Sequence, residues 1–439
     1  MEKSMFWGCI IKYRLPFIEK ATQKVAELFD VEFVENEKHS CCPEPNGIKN
    51  ANHYLHSLTA ARNLSIEKRD KLYVACNGCF ETLKASHSEI SIDDKLKADI
   101  QADLESMNLK FNEKLNIMHL IEFYAREIGI AALKEKVQFP LNGLRVAVHY
   151  GCHFLRPSSK IQTDNPLDPH IFDEIIEAIG AQSINYTGKL MCCGGSLSRA
   201  EREVEAQAIL KHKLDMMVEA GVDAIVVSCP ECFLQFDLQQ RRLKRRDFVY
   251  DIPVFYISEL LAIAFGIPPE ELSFKYHSID IGPMFDLIEE RLQTNEKIAQ
   301  NFNLDFLNKC AECRACEDDC PPALIGDFSP LKHVDRLLDG KLGEAVDDPE
   351  IWQCLDCYLC YELCPSHIGL VDVFTKLRNM AAKEEKFTEG FQKEYETFLD
   401  QQIIGRISKA ARKRVGLETI EPDLGDLKEY IEKGEWKNK

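Results

Sequence analysis

Apolar residues in the first 285 positions follow two alternating rhythms. Short unbroken runs such as KLYVA, LRVAV, DAIVV and PVFY are each followed by stretches with apolar residues every three or four positions. The first rhythm predicts buried strands and the second amphipathic helices. MFWGCIIKY predicts a strand ending near Cys9, and Leu15 to Phe29 a helix. HSCCPEP predicts a turn stopped by Pro43 and Pro45, and Asn50 to Leu64 a second helix. KLYVACNGCFETL and LNIMHLIEFYAREIG each read as a strand running into a helix. From residue 143 the plan returns: LRVAVHYGCHFLRP matches MFWGCIIKYRLP, LMCCGGS matches HSCCPEP, DAIVVSCPECFLQF matches DKLYVACNGCFETL, and DIPVFYISELLAIAFG matches LNIMHLIEFYAREIG. The offsets are 152 − 9 = 143, 192 − 41 = 151 and 229 − 76 = 153, so the repeats differ by a loop insertion assigned to Pro157–Pro169.

This is an internal duplication of about 140 residues in which strands alternate with helices, the pattern of parallel sheets. The fold class is therefore α/β: two duplicated domains with parallel sheets flanked by helices, at residues 1–142 and 143–285. Residues 286–375 change character, with an amphipathic helix in PMFDLIEERLQTNEKIAQNF, a helix at Leu331–Leu338 and a loop at Gly340–Asp348. They form a mainly helical third domain, and residues 376–439 a charged helical tail. The basic run from Ala411 in that tail fits a solvated face or a docking segment better than a membrane contact, because no strong apolar face accompanies it.

Cysteine placement adds the chemistry. All 18 cysteines fall into clusters: Cys9, Cys41, Cys42, Cys76 and Cys79 in the first repeat, and Cys152, Cys192, Cys193, Cys229 and Cys232 in the second. The remaining eight form two C-x2-C-x2-C-x3-C-P runs, Cys310, Cys313, Cys316 and Cys320, then Cys354, Cys357, Cys360 and Cys364. Clusters of this kind in a chain without an export signal point to metal or redox chemistry rather than a disulfide framework. Ligands on parallel sheets bind beyond the carboxyl ends of the strands, where the repeat cysteines lie.

The two C-terminal runs carry the bacterial two-cluster ferredoxin pattern, in which the fourth cysteine of each run serves the other cluster. One cubane [4Fe-4S] cluster is then expected on Cys310, Cys313, Cys316 and Cys364, the other on Cys354, Cys357, Cys360 and Cys320. Zinc tolerates the ligand count, but this spacing, given twice, favours iron–sulfur. In the repeats five thiols exceed what one tetrahedral ion needs. Adjacent cysteines suit two irons of an unusual iron–sulfur cluster; a zinc site with a spare thiol and a redox disulfide stay open as alternatives.

Composition narrows the setting. Hydrophobic residues are 45%, charged residues 29% and the formal charge is −18. That charge disfavours nucleic acid and anionic membranes and suits a basic protein partner. With no predicted signal peptide or spanning segment, a cytoplasmic location is expected. No G-x-G-x-x-G follows a strand, so hydride must enter through a partner.

The spacings C-x31-CC-x33-C-x2-C and C-x39-CC-x35-C-x2-C, with YGCHFLRP and CCGGS, resemble the two CCG motifs of the B subunit of heterodisulfide reductase over roughly residues 1–285. Residues 286–375 resemble the C subunit of that enzyme, so the chain is similar to a B–C fusion with the B part first. Membrane-linked relatives place the ferredoxin module first. The resemblance implies a noncubane [4Fe-4S] cluster on each set of five cysteines, facing each other, with a disulfide such as CoM-S-S-CoB, or a related disulfide or trisulfide, cleaved between them. Electrons would come through the two cubanes from a flavin-containing partner resembling the A subunit of the same enzyme, with hydrogenase or formate dehydrogenase modules as further partners. His153 is then the candidate proton donor, with a structural role as its alternative. Gly194 and Gly195 are expected to let the backbone approach the cluster and offer N–H groups. Arg156 is read as an anion contact or, slightly favoured, a structural one. The competing function is an electron relay without a disulfide substrate.

Overall fold

The computed structural model describes residues 1–315, 317–365, 369–405, 409–418 and 423–434. It divides into two compact units, residues 1–292 and 293–439. The first holds two four-stranded parallel sheets. One comprises β1 (Glu2–Phe6), β2 (Glu32–Val34), β3 (Lys71–Val74) and β4 (Asn116–His119), in the order β2-β1-β3-β4. The other comprises β5 (Arg145–His149), β6 (Gln182–Ser183), β7 (Ala224–Val227) and β8 (Val254–Tyr256), in the order β6-β5-β7-β8. Identical strand orders confirm the duplicated α/β plan in three dimensions. Parallel strands are covered on both faces, which is why β7 reads AIVV and is buried throughout.

Each sheet feeds the same kind of junction. At the end of β1 the chain does not continue as a strand to Cys9, as the apolar run suggested. It turns at Gly8 and enters a helix, Gly8–Arg14, that contains Cys9. Gly8 has φ +75° and its counterpart Gly151, after β5, has φ +74°. Both permit a left-handed turn that side chains resist. After β3 and β7, Cys76 and Cys229 take extended backbone geometry at the N-caps of helices Asn77–Ile92 and Pro230–Lys244. Pro230 fits the first helical position because its missing N–H has no intrahelical partner there.

The two halves share one hydrophobic core. Phe17 of the first meets Phe233 of the second with ring centroids 5.5 Å apart. Thr22 and Tyr124 each hydrogen-bond the Ser258 hydroxyl, at 2.7 and 2.9 Å. The ends of β4 and β8 cross over: the Tyr256 hydroxyl donates to the Ala75 carbonyl beside Cys76. His119 lies, fully buried, within electrostatic reach of Cys229.

The second unit is helical, with a core of Leu331, Val334, Leu337, Phe374 and Leu377. The helix Pro330–Leu338 forms where expected, started by the Ser329 hydroxyl accepting from the Lys332 amide. The stretch 340–348, read above as a loop, contains a helix at Leu342–Asp347. It forms because Ala345 and Val346 pack into this core; two apolar contacts are too few to register as periodicity. Among the described residues no helix is long and apolar enough to cross a membrane.

One buried ion pair offers a test of the shared core. His277 and Glu259 lie 2.9 Å apart with side chains 1% and 0% exposed, and Glu259 also accepts from the Tyr256 amide. Burial alone lowers the imidazole's pKa, but the Glu259 carboxylate outweighs it and holds it above its ordinary value. The stability this contributes is full below the unfolded-state pKa of about 6.5 and is lost as pH rises through the higher folded value. Glu259→Gln is expected to destabilise the chain by about 3–5 kcal/mol at pH 6 and by less at pH 9. Thermal unfolding at the two pH values measures the difference.

Candidate functional site

The strand-to-helix junctions of both sheets open on one cavity. All ten repeat cysteines line it: Cys9, Cys41, Cys42, Cys76, Cys79, Cys152, Cys192, Cys193, Cys229 and Cys232. They form a continuous row of sulfur neighbours. In the first half Cys9 contacts Cys41, Cys41 contacts Cys42, Cys42 contacts Cys79, and Cys79 contacts Cys76. The row crosses between halves where Cys76 Sγ and Cys229 Sγ lie 4.0 Å apart. In the second half it runs back in mirrored order: Cys229 to Cys232, Cys232 to Cys193 at 3.5 Å, Cys193 to Cys192, and Cys192 to Cys152 at 3.9 Å.

Asn77 locks the crossing point. Its side-chain amide donates to the Tyr150 carbonyl at 2.7 Å and accepts from the Ser228 hydroxyl at 3.2 Å, so it ties both halves together beside Cys76 and Cys229. The loop carrying Cys41 is held by Asn63, which donates to the Cys41 carbonyl and accepts from the Ser40 amide. The loop carrying Cys192 is held by Lys213, a fully buried lysine on the helix Glu203–Glu219. Its ammonium donates to the carbonyls of Gly188, Lys189 and Met191 at 2.9, 3.3 and 2.7 Å.

Contact among the thiols divides their acidity unevenly. Contact with Cys41, then burial, pushes Cys9 up; contact with Cys192, then burial, pushes Cys152 up. Contacts from Cys41 and Cys79 lower Cys42 to about 5, and contacts from Cys232 and Cys76 pull Cys229 well below its ordinary value. Each thiolate is thus stabilised by neighbours that keep their protons. Ionising all ten needs positive charge among them, as a metal–sulfur group provides.

Other groups fit that reading. The Gly194 amide donates to Cys192 Sγ at 3.4 Å, and the Gly195 amide serves Cys193. His149, at the end of β5, is 1% exposed, and neither ring nitrogen has a hydrogen-bond partner among protein atoms. It offers a nitrogen within 4.8 Å of both the Cys193 and Cys232 sulfurs, while Phe236 covers its ring. A buried imidazole without an acceptor is costly unless a bound group supplies one.

His153 lines the cavity wall. Arg156 turns away and donates to the Leu190 carbonyl at 2.9 Å, so it braces the loop before Cys192. Among the cavity residues that escaped the sequence reading are Glu44, Asn77, Arg199 and Glu231. Burial and the neighbouring Cys229 raise the Glu231 carboxyl to about 7. Its place between the two cysteines of SCPECF was the one signal available for it.

The cysteines of the second unit gather in two places. Cys320, Cys354, Cys357 and Cys360 line one hollow, and Cys310, Cys313, Cys360 and Cys364 line another. Cys316 lies outside the described residues.

Comparison with known proteins defines the class first: a cysteine-rich CCG domain matches twice, at residues 4–84 and 146–237, and a 4Fe-4S dicluster domain matches residues 306–368. Over 280 residues the chain is 37% identical to the B subunit of the ferredoxin:CoB-CoM heterodisulfide reductase of Methanosarcina mazei, covering 63% of this chain and 93% of the relative. It is 31% identical over 131 residues to an Archaeoglobus profundus protein described as like the C subunit of heterodisulfide reductase, covering 29% of this chain and 68% of that one. The chain belongs to the heterodisulfide reductase family as a fusion of B-like and C-like regions, an iron–sulfur oxidoreductase subunit of a larger complex. A Helicobacter pylori hypothetical protein shares the fold alone, with TM-score 0.51, 12% identity and coverage of 63% of this chain and 51% of that chain.

Gly151 supplies a direct test of the cavity's construction. A Cβ there would lie 2.3 Å from the Asn77 amide nitrogen, on a backbone with positive φ. Gly151→Ala is expected to destabilise the chain by about 1–3 kcal/mol, read as a lower thermal unfolding midpoint. Asn77→Ala in the same background is expected to recover part of the loss by removing the clash.

Proposed function

We propose that this chain is the component at which a small disulfide is reduced. The observation that carries the reading is the mirrored row of ten thiols around one cavity, which meets at Cys76 and Cys229. Cleavage of RSSR′ to RSH and R′SH takes two electrons and two protons, so a site built from two equal halves suits it. In this reading Cys9, Cys41, Cys42, Cys76 and Cys79 hold one noncubane [4Fe-4S] cluster, and Cys152, Cys192, Cys193, Cys229 and Cys232 hold the other. When bound, such clusters supply single electrons and iron that binds sulfur.

The protein's own groups do the rest. Asn77 fixes the separation of the halves, and Gly194 and Gly195 direct N–H groups at sulfur. His153, on the cavity wall, is the group proposed to deliver a proton to a departing thiolate. Arg199, about half exposed at the same cavity, is paired with Glu44 at 3.8 Å and helps close the wall. The hollow lined by Cys320, Cys354, Cys357 and Cys360 and the one lined by Cys310, Cys313, Cys360 and Cys364 are the proposed seats of two cubane clusters that relay electrons. Their source is proposed to be a flavoprotein partner, because a two-electron donor must be split into single electrons before it can use such a relay. A relative's name includes the CoB-CoM heterodisulfide, and that compound, or a disulfide related to it, is the proposed substrate.

Purified with its metal complement, the chain is expected to contain about 16 irons, four clusters of four. It is expected to reduce a suitable disulfide with a reduced viologen dye and to show no NAD(P)H-dependent activity by itself. Cys42→Ser and Cys193→Ser should each abolish turnover and lower the iron count. About 12 irons with one zinc would overturn the paired-noncubane reading. A fully loaded preparation without disulfide turnover would leave the chain an electron relay.

A further inference from the structure

The two halves mirror each other in thiols but not in what lies behind them. At the offset of the cysteine pairs, 192 − 41 = 151, Lys213 corresponds to Arg62, and the Lys189 carbonyl that Lys213 holds corresponds to the Lys38 carbonyl that Arg62 holds. Each sits on the helix behind its own cysteine loop and holds that loop through backbone carbonyls. Both are cations, but Lys213 is fully buried, whereas the Arg62 bond lies at the exposed surface, where solvent screens its charge. His149 and Phe6 also correspond, since 149 − 6 = 143 matches the offset between Cys152 and Cys9. One carries two unpartnered ring nitrogens next to the Cys193 and Cys232 sulfurs; the other is a hydrocarbon ring.

Of the buried histidines in the first half, His39 is the one just before the Cys41–Cys42 pair in sequence, and it is neutralised. Glu67 lies 2.7 Å away and Glu35 3.7 Å away, with Lys12 paired to Glu35 at 2.6 Å. That network therefore sums to about zero. Lys213 directs all three of its hydrogen bonds to carbonyls, so its charge is not cancelled by a bonded carboxylate. Its charge acts on the thiol set of the second half, Cys193, Cys232, Cys192 and Cys152.

We propose that Lys213 and His149 make the two cluster seats electrostatically unequal, so that a group held by the second half takes up an electron at a more positive potential than its counterpart in the first. This rests on the reading that each set of five thiols holds an iron–sulfur cluster. Adding one electron adds one negative charge. A buried ammonium and an N–H donor to sulfur both favour the more negative state, and net charge and hydrogen bonds to sulfur are what set such potentials. The disposition gives the site a direction: the first electron delivered rests in the second half, and the first half is charged last.

The test is an EPR-monitored redox titration of the full iron-loaded chain with dithionite and mediators. The wild type is expected to show two separate noncubane transitions. Lys213→Asn, which removes the charge and keeps a donor, should lower only the more positive one, by at least tenfold in its reduction equilibrium constant, or 59 mV for a one-electron step. Lys213→Arg, which keeps the charge, should leave it in place. His149→Phe should shift the same transition in the same direction, and it decides the matter if Lys213→Asn does not retain iron. Coincident transitions in the wild type, or variants that move both transitions together or neither, would overturn the proposal while leaving the cluster reading intact. Absence of noncubane signals from the wild type would overturn both.

Discussion

Ten thiols packed around one cavity cannot all ionise unless positive charge is brought among them. Their mutual contacts already split them into proton-keeping and proton-losing neighbours, with Cys42 and Cys229 pulled down while Cys9 and Cys152 are pushed up. Everything around the cavity serves to keep that crowded arrangement in place. Helix N-termini at Cys76 and Cys229 direct their positive ends at sulfur. Gly8 and Gly151 turn the chain tightly enough to bring Cys9 and Cys152 to the wall.

The same constraint explains why the halves are so thoroughly interlocked. Were they free to slide, the separation of Cys76 and Cys229 would not be set. Instead Asn77 spans the boundary, the Tyr256 hydroxyl reaches across to Ala75, and Thr22 and Tyr124 meet at Ser258. Each half thus supplies bonds that position the other half's cysteine junction. A domain pair joined only by an apolar interface has no such directional fixing, because hydrophobic contact is not directional.

Duplication makes the site symmetric, yet the support behind it has diverged. A buried lysine is costly to keep, since burial penalises its charged form. Its presence at Lys213 puts a buried charge beside the second half's thiols, where the other half holds its loop with the more exposed Arg62. The carbonyls of Gly188, Lys189 and Met191 need only a donor, which a neutral amide also provides. Burial of the charge therefore separates a structural need, common to both halves, from an electrostatic one found in the second.

Much of this was legible along the chain. Strand and helix rhythms, the repeat and the cysteine spacings are local properties, and they were enough to place Cys76, Cys79, Cys229 and Cys232 just beyond strands and to assign the α/β class. The boundary at Cys9 misread as strand because Met5, Phe6 and Trp7 are buried alike; only the positive φ of Gly8 shows where the strand stops. The helix Leu342–Asp347 was hidden because its stability comes from packing of Ala345 and Val346, not from periodicity. Arg156 resolved to a carbonyl contact, which no sequence signal distinguishes from an anion site. Asn77, Lys213 and His149 gain their roles from partners far away in sequence. The sequence by itself determined which atoms are available for the chemistry, because ligand type and spacing are written locally. Only the tertiary structure decided how the two sets meet and which is backed by charge, because those depend on distances between residues that the chain order leaves far apart.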